Sequence, residues 1–292
     1  GDTKRPLIYL LIAGILNVIL NLFFVIVCGM AEDGVALASI ITQYVSALLI
    51  LIRMGRQEDS CTFRFRDLKN GLDRSEEKRI LGLGIPAGLQ NAVFAVANLF
   101  IQGAVNSFDS VMVEGNAAAA NADSVIYNVM AAFYTASATF MGQNLGAGKR
   151  DRVLKSYFVG IVYSFTAGAV LGGLLFLFGR EFLSLFANDE TVIAAGLQRT
   201  KIMCFSYAVS AFMDCSIAAC RGIGKSLAPT VIVILGSCVF RVIWIYTVFA
   251  HFHTIPSLYL LYIFSWTITS LAEIAYFAVS YKKLDAARAS RI

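Results

Sequence analysis

Charge is scarce in this sequence, and histidine, proline and tryptophan are scarcer still. Only 15% of the residues are charged, whereas a soluble domain carries about a quarter. Two histidines and no C-x-x-C pair exclude a zinc-ligand spacing and a redox dithiol. The six cysteines are Cys28, Cys61, Cys204, Cys215, Cys220 and Cys238. They sit mostly in or beside apolar stretches and read as small core residues. No segment alternates polar and apolar residues over about ten positions, which excludes a transmembrane barrel. No basic patch is interleaved with aromatics, so nucleic acid is excluded as a partner. Convergent catalytic groups are missing too, which argues against a membrane enzyme. His251 and His253 stand in an outer loop with no other ligand-type neighbour, so no metal site is expected.

What is present is hydrophobic sequence, 58% of the chain. Eight stretches reach the roughly 20 apolar residues that a bilayer crossing needs. They are 6–29, 35–54, 80–106, 115–142, 156–179, 195–220, 229–250 and 257–281. The expected fold is an all-α polytopic membrane protein of eight transmembrane helices. Charge placement agrees with that number. Twenty of the 24 Lys and Arg fall at one side if the helices alternate: Lys4 and Arg5, Arg53 to Arg79, Lys149 to Lys155, Arg221 and Lys225, and Lys282 to Arg291. Both ends are then cytoplasmic. Arg180, Arg199 and Lys201 fall on the outer side, and Arg241 inside a helix.

Four ionisable residues stand out within apolar stretches: Asp123, Asp214, Arg241 and Glu273. A charge at the bilayer centre costs at least about 2.5–3.5 kcal/mol. Arg241 lies roughly 18 Å from the cytoplasmic end, Asp214 roughly 10 Å and Glu273 roughly 13 Å, at a rise of 1.5 Å per residue. One cation cannot neutralise three acids, so at least one carboxylate is expected to take up a proton or cation, or to face water. Asp123 or Asp214 is the expected carrier. Arg241 and Glu273 are expected in structural ion pairs. Asn116, Asp123, Tyr127 and Tyr134 share one face of the fourth helix. That stripe suits an organic cation, through cation–π contact, and equally suits hydrogen bonds between helices.

The chain repeats itself at an offset of 223 residues. Gly1-Asp2-Thr3-Lys4-Arg5-Pro6 pairs with Gly224-Lys225-Ser226-Leu227-Ala228-Pro229. Thr42-Gln43 pairs with Ser265-Trp266, and Ser46-Ala47-Leu48 with Thr269-Ser270-Leu271. Internal repeats are a habit of transporters, and this one implies about four further helices upstream in a complete protein. Gly84-x-x-x-Gly88 and Gly168-x-x-x-Gly172 read as close-packing motifs. Gly146-Ala147-Gly148-Lys149 looks like a phosphate loop, but Gln143 and Arg150 occupy the places of its glycine and its Ser or Thr.

Further motifs are Gly84-Ile85-Pro86-Ala87-Gly88-Leu89-Gln90, Gly115 to Asn121, Gly142-Gln143-Asn144-Leu145-Gly146-Ala147, Arg221 to Ser226 and Leu235 to Tyr246. Together with Gly1 to Pro6, Asn17 and Asn21, their order and spacing resemble the multidrug and toxic compound extrusion (MATE) transporters. The likeness is strongest to the branch related to DNA-damage-inducible protein F. The resemblance implies helices 5–12 of a twelve-helix, two-lobe carrier. Residues 1–55 would close the first lobe, 56–79 link the lobes, 80–283 form the second lobe and 284–292 a cytoplasmic tail.

It implies a cation-coupled antiporter in the bacterial inner membrane, exporting drugs or organic cations against H⁺ or Na⁺ with no cofactor. Its other partners would be the lipid bilayer and the upstream helices of the first lobe. Gln90 and Asn91, with Asn98 and Gln102, stand where some members carry a glutamate, which speaks against an Na⁺ site of that type. The acidic site of the family's first helix falls outside this sequence. A lipid-linked saccharide flippase of the same superfamily is an alternative, although a single midplane Arg against three acids disfavours it. A non-transporting helical subunit is another.

Overall fold

The computed structural model of the protein describes residues 4–56 and 73–289, with side chains to residue 284. Most of the expected linker, with Cys61, Arg64, Arg66 and Lys69, lies outside the described residues. So do the tail's Arg288 and Arg291 side chains.

Each of the eight predicted spans is a long helix. They are α1 (Lys4–Val27), α2 (Glu32–Gly55), α3 (Arg74–Val105), α4 (Ser110–Gly146) and α5 (Arg150–Leu177). A short α6 (Gly179–Leu183) precedes α7 (Glu190–Gly222), α8 (Leu227–Phe252) and α9 (Ile255–Ala289). Seven of the eight are long and apolar enough to cross a membrane. The eighth, α4, falls short because Asn116, Asn121, Asp123 and Asn128 interrupt its middle. Each helix begins before its predicted stretch, and most take in charged or polar residues at that end. Helices longer than a roughly 30 Å hydrocarbon core carry their charged ends into the headgroups.

Helix entries follow from short polar side chains. The Asp109 carboxylate accepts the Met112 N–H at 2.9 Å and starts α4. Asp189 does the same for α7, accepting the Thr191 N–H at 2.8 Å, and that bond holds its carboxyl below the usual carboxylate range.

The described chain separates into two compact units, Gly1–Glu77 and Lys78–Ile292. In the first, α1 and α2 meet along Gly34, Ala38, Thr42 and Ser46, small residues spaced every four positions. Asn17 Nδ2 donates to Thr42 Oγ1 across the seam at 3.2 Å. Gly29 turns the chain between the helices at φ +66°, a left-handed conformation that glycine adopts without strain.

In the second unit α7 is the centre, packed against α4, α5 and α9. Within the most apolar 18-residue stretch of each helix, 67% of α7 is buried within the protein, against 6% of α1. Close backbone approach explains how α7 fits. A Cβ on Gly172 would lie 2.5 Å from the Cys204 carbonyl, so Gly168-x-x-x-Gly172 is a true packing seam. No described residue packs on Gly84-x-x-x-Gly88, where a Cβ at either glycine would meet nothing within 4 Å among the described residues. The turn of α3 around Pro86 is held by hydroxyls at and just before the start of α8. Ser226 donates to the Leu83 carbonyl at 3.0 Å and Thr230 to the Pro86 carbonyl at 3.2 Å. Two π-helical stretches, Ile234–Val239 and Ile245–Phe249, flank Arg241 on α8.

Candidate functional site

The second unit encloses a cavity of about 490 Å³. Its wall includes all seven residues expected in a substrate or coupling site: Gln90, Asn91, Asn116, Asp123, Tyr127, Tyr134 and Asp214. Three helices bring them there: α3 supplies the amides, α4 the Asn–Asp–Tyr stripe and α7 Asp214, while α8 and α9 form the opposite wall. Arg241 also lines the cavity, whereas Glu273 does not.

Two arginines that the sequence reading left out line it too. Arg199, assigned to the outer side, is only 5% exposed. Its Nη2 donates to Asp123 Oδ2, and the Tyr207 hydroxyl donates to Asp123 Oδ1. The guanidinium carbon stands 5.3 Å from the Tyr259 ring centroid, and the Tyr259 hydroxyl donates to Asn116 Oδ1 at 2.7 Å. Asp123 is therefore tied to a cation and a phenol. Arg221, assigned to the cytoplasmic loop, is half-buried. Its Nη2 donates to Gln90 Oε1 at 3.0 Å, and it lies in electrostatic range of Asp214 and Glu273.

These positions correct the charge balance. Three acids face three arginines, not one. They also correct the structural ion pairs: neither Arg241 nor Glu273 has an ion-pair partner among the described residues. Arg241 is 2% exposed and enclosed by rings, with its guanidinium carbon 4.6 Å from the Tyr262 centroid, 5.4 Å from Phe94 and 5.6 Å from Trp266. Its Nε donates to Ser265 Oγ at 3.4 Å, and its Nη2 has no partner among the described residues. Glu273 follows Ser265 on α9 by eight residues, roughly 12 Å farther along the axis. It is fully buried, and neither carboxylate oxygen has a hydrogen-bond partner among the described residues.

Asp214 differs from Asp123 in being untied. It is half-buried, in electrostatic range of Arg221 and Arg241, and its Oδ2 has no hydrogen-bond partner among the described residues. The cavity thus holds one neutralised pair, one loose carboxylate and two arginines without a salt bridge. Tyr127 faces Trp266, with centroids 6.1 Å apart. The aromatic faces around Arg241 are already occupied by its own guanidinium.

His253, outside this cavity, packs its ring on Phe249 and Phe108, and its Nε2 shares a hydrogen bond with Ser107 Oγ at 3.1 Å.

Comparison with known proteins is consistent across sequence and structure. The family profile described as MatE matches residues 86–247. The Probable multidrug resistance protein YpnP of Bacillus subtilis is 30% identical over 207 residues, 71% of this chain and 46% of its own length. A protein named FAD transporter from Shewanella oneidensis is 25% identical over 200 residues, 66% of this chain and 43% of its own. This chain spans about half the length of the curated relatives it matches. Among solved structures, an outward-facing multidrug resistance MATE family transporter superposes with a TM-score of 0.89 at 18% identity. It covers 98% of this chain and 64% of that one.

Proposed function

The chain belongs to the MatE family, a family of transporters and not of enzymes, and on that premise we propose that it works within a cation-coupled exporter of drug-like small molecules. Residues 1–55 are the last two helices of one lobe, and residues 80–283 are the other lobe. The membrane is the bacterial inner membrane, with the basic loops on its cytoplasmic side. The carrier alternates between inward and outward openings around the cavity, and H⁺ or Na⁺ enters as the drug leaves.

The observation that carries this reading is Asp214. It is a carboxylate on the cavity wall, held in no ion pair, with an oxygen free of hydrogen bonds among the described residues. A coupling cation needs such a group. Asp123 fits less well, since Arg199 and Tyr207 already claim both its oxygens. The test is drug resistance and efflux in cells carrying the complete gene. Asp214→Asn is expected to abolish coupled efflux with normal membrane levels. Wild-type resistance in that mutant would end the assignment.

A second reading concerns the substrate's charge. Three arginines against two carboxylates, with the ring faces nearest Arg241 already taken, favour a substrate bearing an anionic group. The flippase alternative shares that chemistry. So does FAD, the molecule in one relative's name, which carries a diphosphate. Binding of matched cationic and anionic dyes to the complete protein separates the two readings. Arg241→Met lowers affinity for the anion alone if the second is right, and leaves it unchanged if the first is.

A further inference from the structure

The outer face of α4 and α5 carries a groove of about 770 Å³ that the transport reading does not use. Its floor is a close helix contact: a Cβ on Gly160 would lie 2.4 Å from Ser137 Oγ, which donates to the Ser156 carbonyl at 2.8 Å. The body of the groove is apolar. Phe133, Phe140 and Val159 line it, and Tyr163 stacks on Phe133 with centroids 5.7 Å apart. One end is cationic. Lys149, Arg152 and Lys155 gather where α4 stops and α5 begins, and among the described residues no acidic side chain lines the groove. All three are exposed, and none has an ion-pair partner among the described residues.

The polarity changes along the helix axis. From Arg152 to Tyr163 is eleven residues, roughly 16 Å, about one leaflet of a 30 Å hydrocarbon core. A lipid has that gradient and that length. A partner helix crossing here would meet charge at one end of an apolar strip and would leave its own polar face in hydrocarbon. Free phosphate would be held only by exposed, screened cations. The three basic residues lie at the end where most of the chain's Lys and Arg gather, the leaflet in which anionic lipid is enriched.

We propose that this groove holds an anionic diacyl phospholipid, with its headgroup on Lys149, Arg152 and Lys155 and an acyl chain over Val159, Phe133 and Tyr163. The test uses the full chain, purified in neutral detergent and exchanged into micelles doped with phosphatidylglycerol or phosphatidylcholine. Native mass spectrometry reads the lipid retained. Phosphatidylglycerol is expected to be kept at least about tenfold better than phosphatidylcholine, and the triple Lys149→Gln/Arg152→Gln/Lys155→Gln variant is expected to lose that preference. Wild-type protein should lose it too as salt rises, an arm that needs no variant to fold. Tyr163→Gln should weaken both lipids, and inorganic phosphate should displace neither. Equal retention of the two lipids by wild-type protein would overturn the proposal. So would a folded triple variant that still prefers phosphatidylglycerol, or displacement by phosphate alone.

Discussion

Helices α1–α2 line up with α8–α9 at the sequence offset of 223 residues, and the two pairs contrast in charge. At the offset of 223 residues, the buried seam Gly34, Ala38, Thr42, Ser46 becomes Ser257, Leu261, Ser265, Thr269, and every one of those is buried as well. A π-helical stretch sits near the end of the first helix in both, at Phe23–Val27 and at Ile245–Phe249. Packing has been kept. The chemistry has not: Arg241 corresponds to Val18, Glu273 to Ile50, Trp266 to Gln43 and Tyr262 to Ser39. A hollow of about 540 Å³ beside Asn17, Ser39 and Gln43 in the first pair is mostly apolar and is lined by no charged residue among the described residues. Buried residues at four-residue spacing, small except for Leu261, are thus the scaffold, and the charges stand in the second unit.

The largest effect is expected where the second unit's charge is balanced, between α4 and α7 beside the second pair. Arg199→Ala leaves Asp123 without its cation. Removing one partner of a buried pair costs about 3–5 kcal/mol, so a large drop in the thermal unfolding midpoint is expected. Asp123→Asn with Arg199→Met should recover most of it. A drop no larger than that of an ordinary surface substitution would show that the second unit does not depend on balanced charge.

A reciprocal exchange comes next in size. Val18→Arg places a guanidinium in the pair that has no groove built for one, at a cost of about 2.5–3.5 kcal/mol. Arg241→Met keeps the volume within its aromatic cage and is expected to change stability by less than about 1.5 kcal/mol. Equal losses in thermal unfolding would mean that the two pairs are not the same scaffold.

Much of this scaffold was legible in the sequence, and much of the site's balance was not. The eight spans, the offset repeat and the Asn116–Asp123–Tyr127–Tyr134 stripe follow from hydropathy, spacing and helical periodicity, whereas Gln90 and Asn91 come from the family resemblance. Those signals are local. Arg199 was missed because a basic residue near the start of an apolar stretch reads as interfacial. Only its pairing with Asp123, 76 positions away, makes it interior. One signal was available: Arg199, Met203, Tyr207, Asp214 and Arg221 share a face of α7, so the helix presents a polar stripe. The ion pairs expected for Arg241 and Glu273 failed for the opposite reason. Counting charges cannot tell that rings, not carboxylates, surround Arg241.

A smaller effect sharpens the seam itself. Gly236, the counterpart of Ala13, would place a Cβ 2.6 Å from Thr269 Oγ1. Gly236→Leu overpacks α8 against α9 and should cost about 1–3 kcal/mol. Ala13→Leu should cost less, since Ala13 already carries a Cβ and is the only buried residue of its α-helical segment, Lys4–Leu22. Comparable midpoint shifts would indicate equally tight seams.

The smallest expected difference lies in the hydrogen bonds across the two seams. Thr42 Oγ1 accepts from Asn17 Nδ2 at 3.2 Å in the first pair, while Thr269 Oγ1 meets Ser237 Oγ at 2.9 Å in the second, one turn farther along. Bonds of this kind between membrane helices average about 0.6 kcal/mol and reach about 1.7. Thr269→Val should fall toward the upper figure, because Ser237 is fully buried and keeps only a weak contact to Met213 sulfur at 3.7 Å. Thr42→Val should fall toward the lower one, because the half-buried Asn17 side chain retains Asn21 Nδ2 as a donor at 3.0 Å. If Thr42→Val proves the costlier in thermal unfolding, the seam of the second pair is held by shape alone.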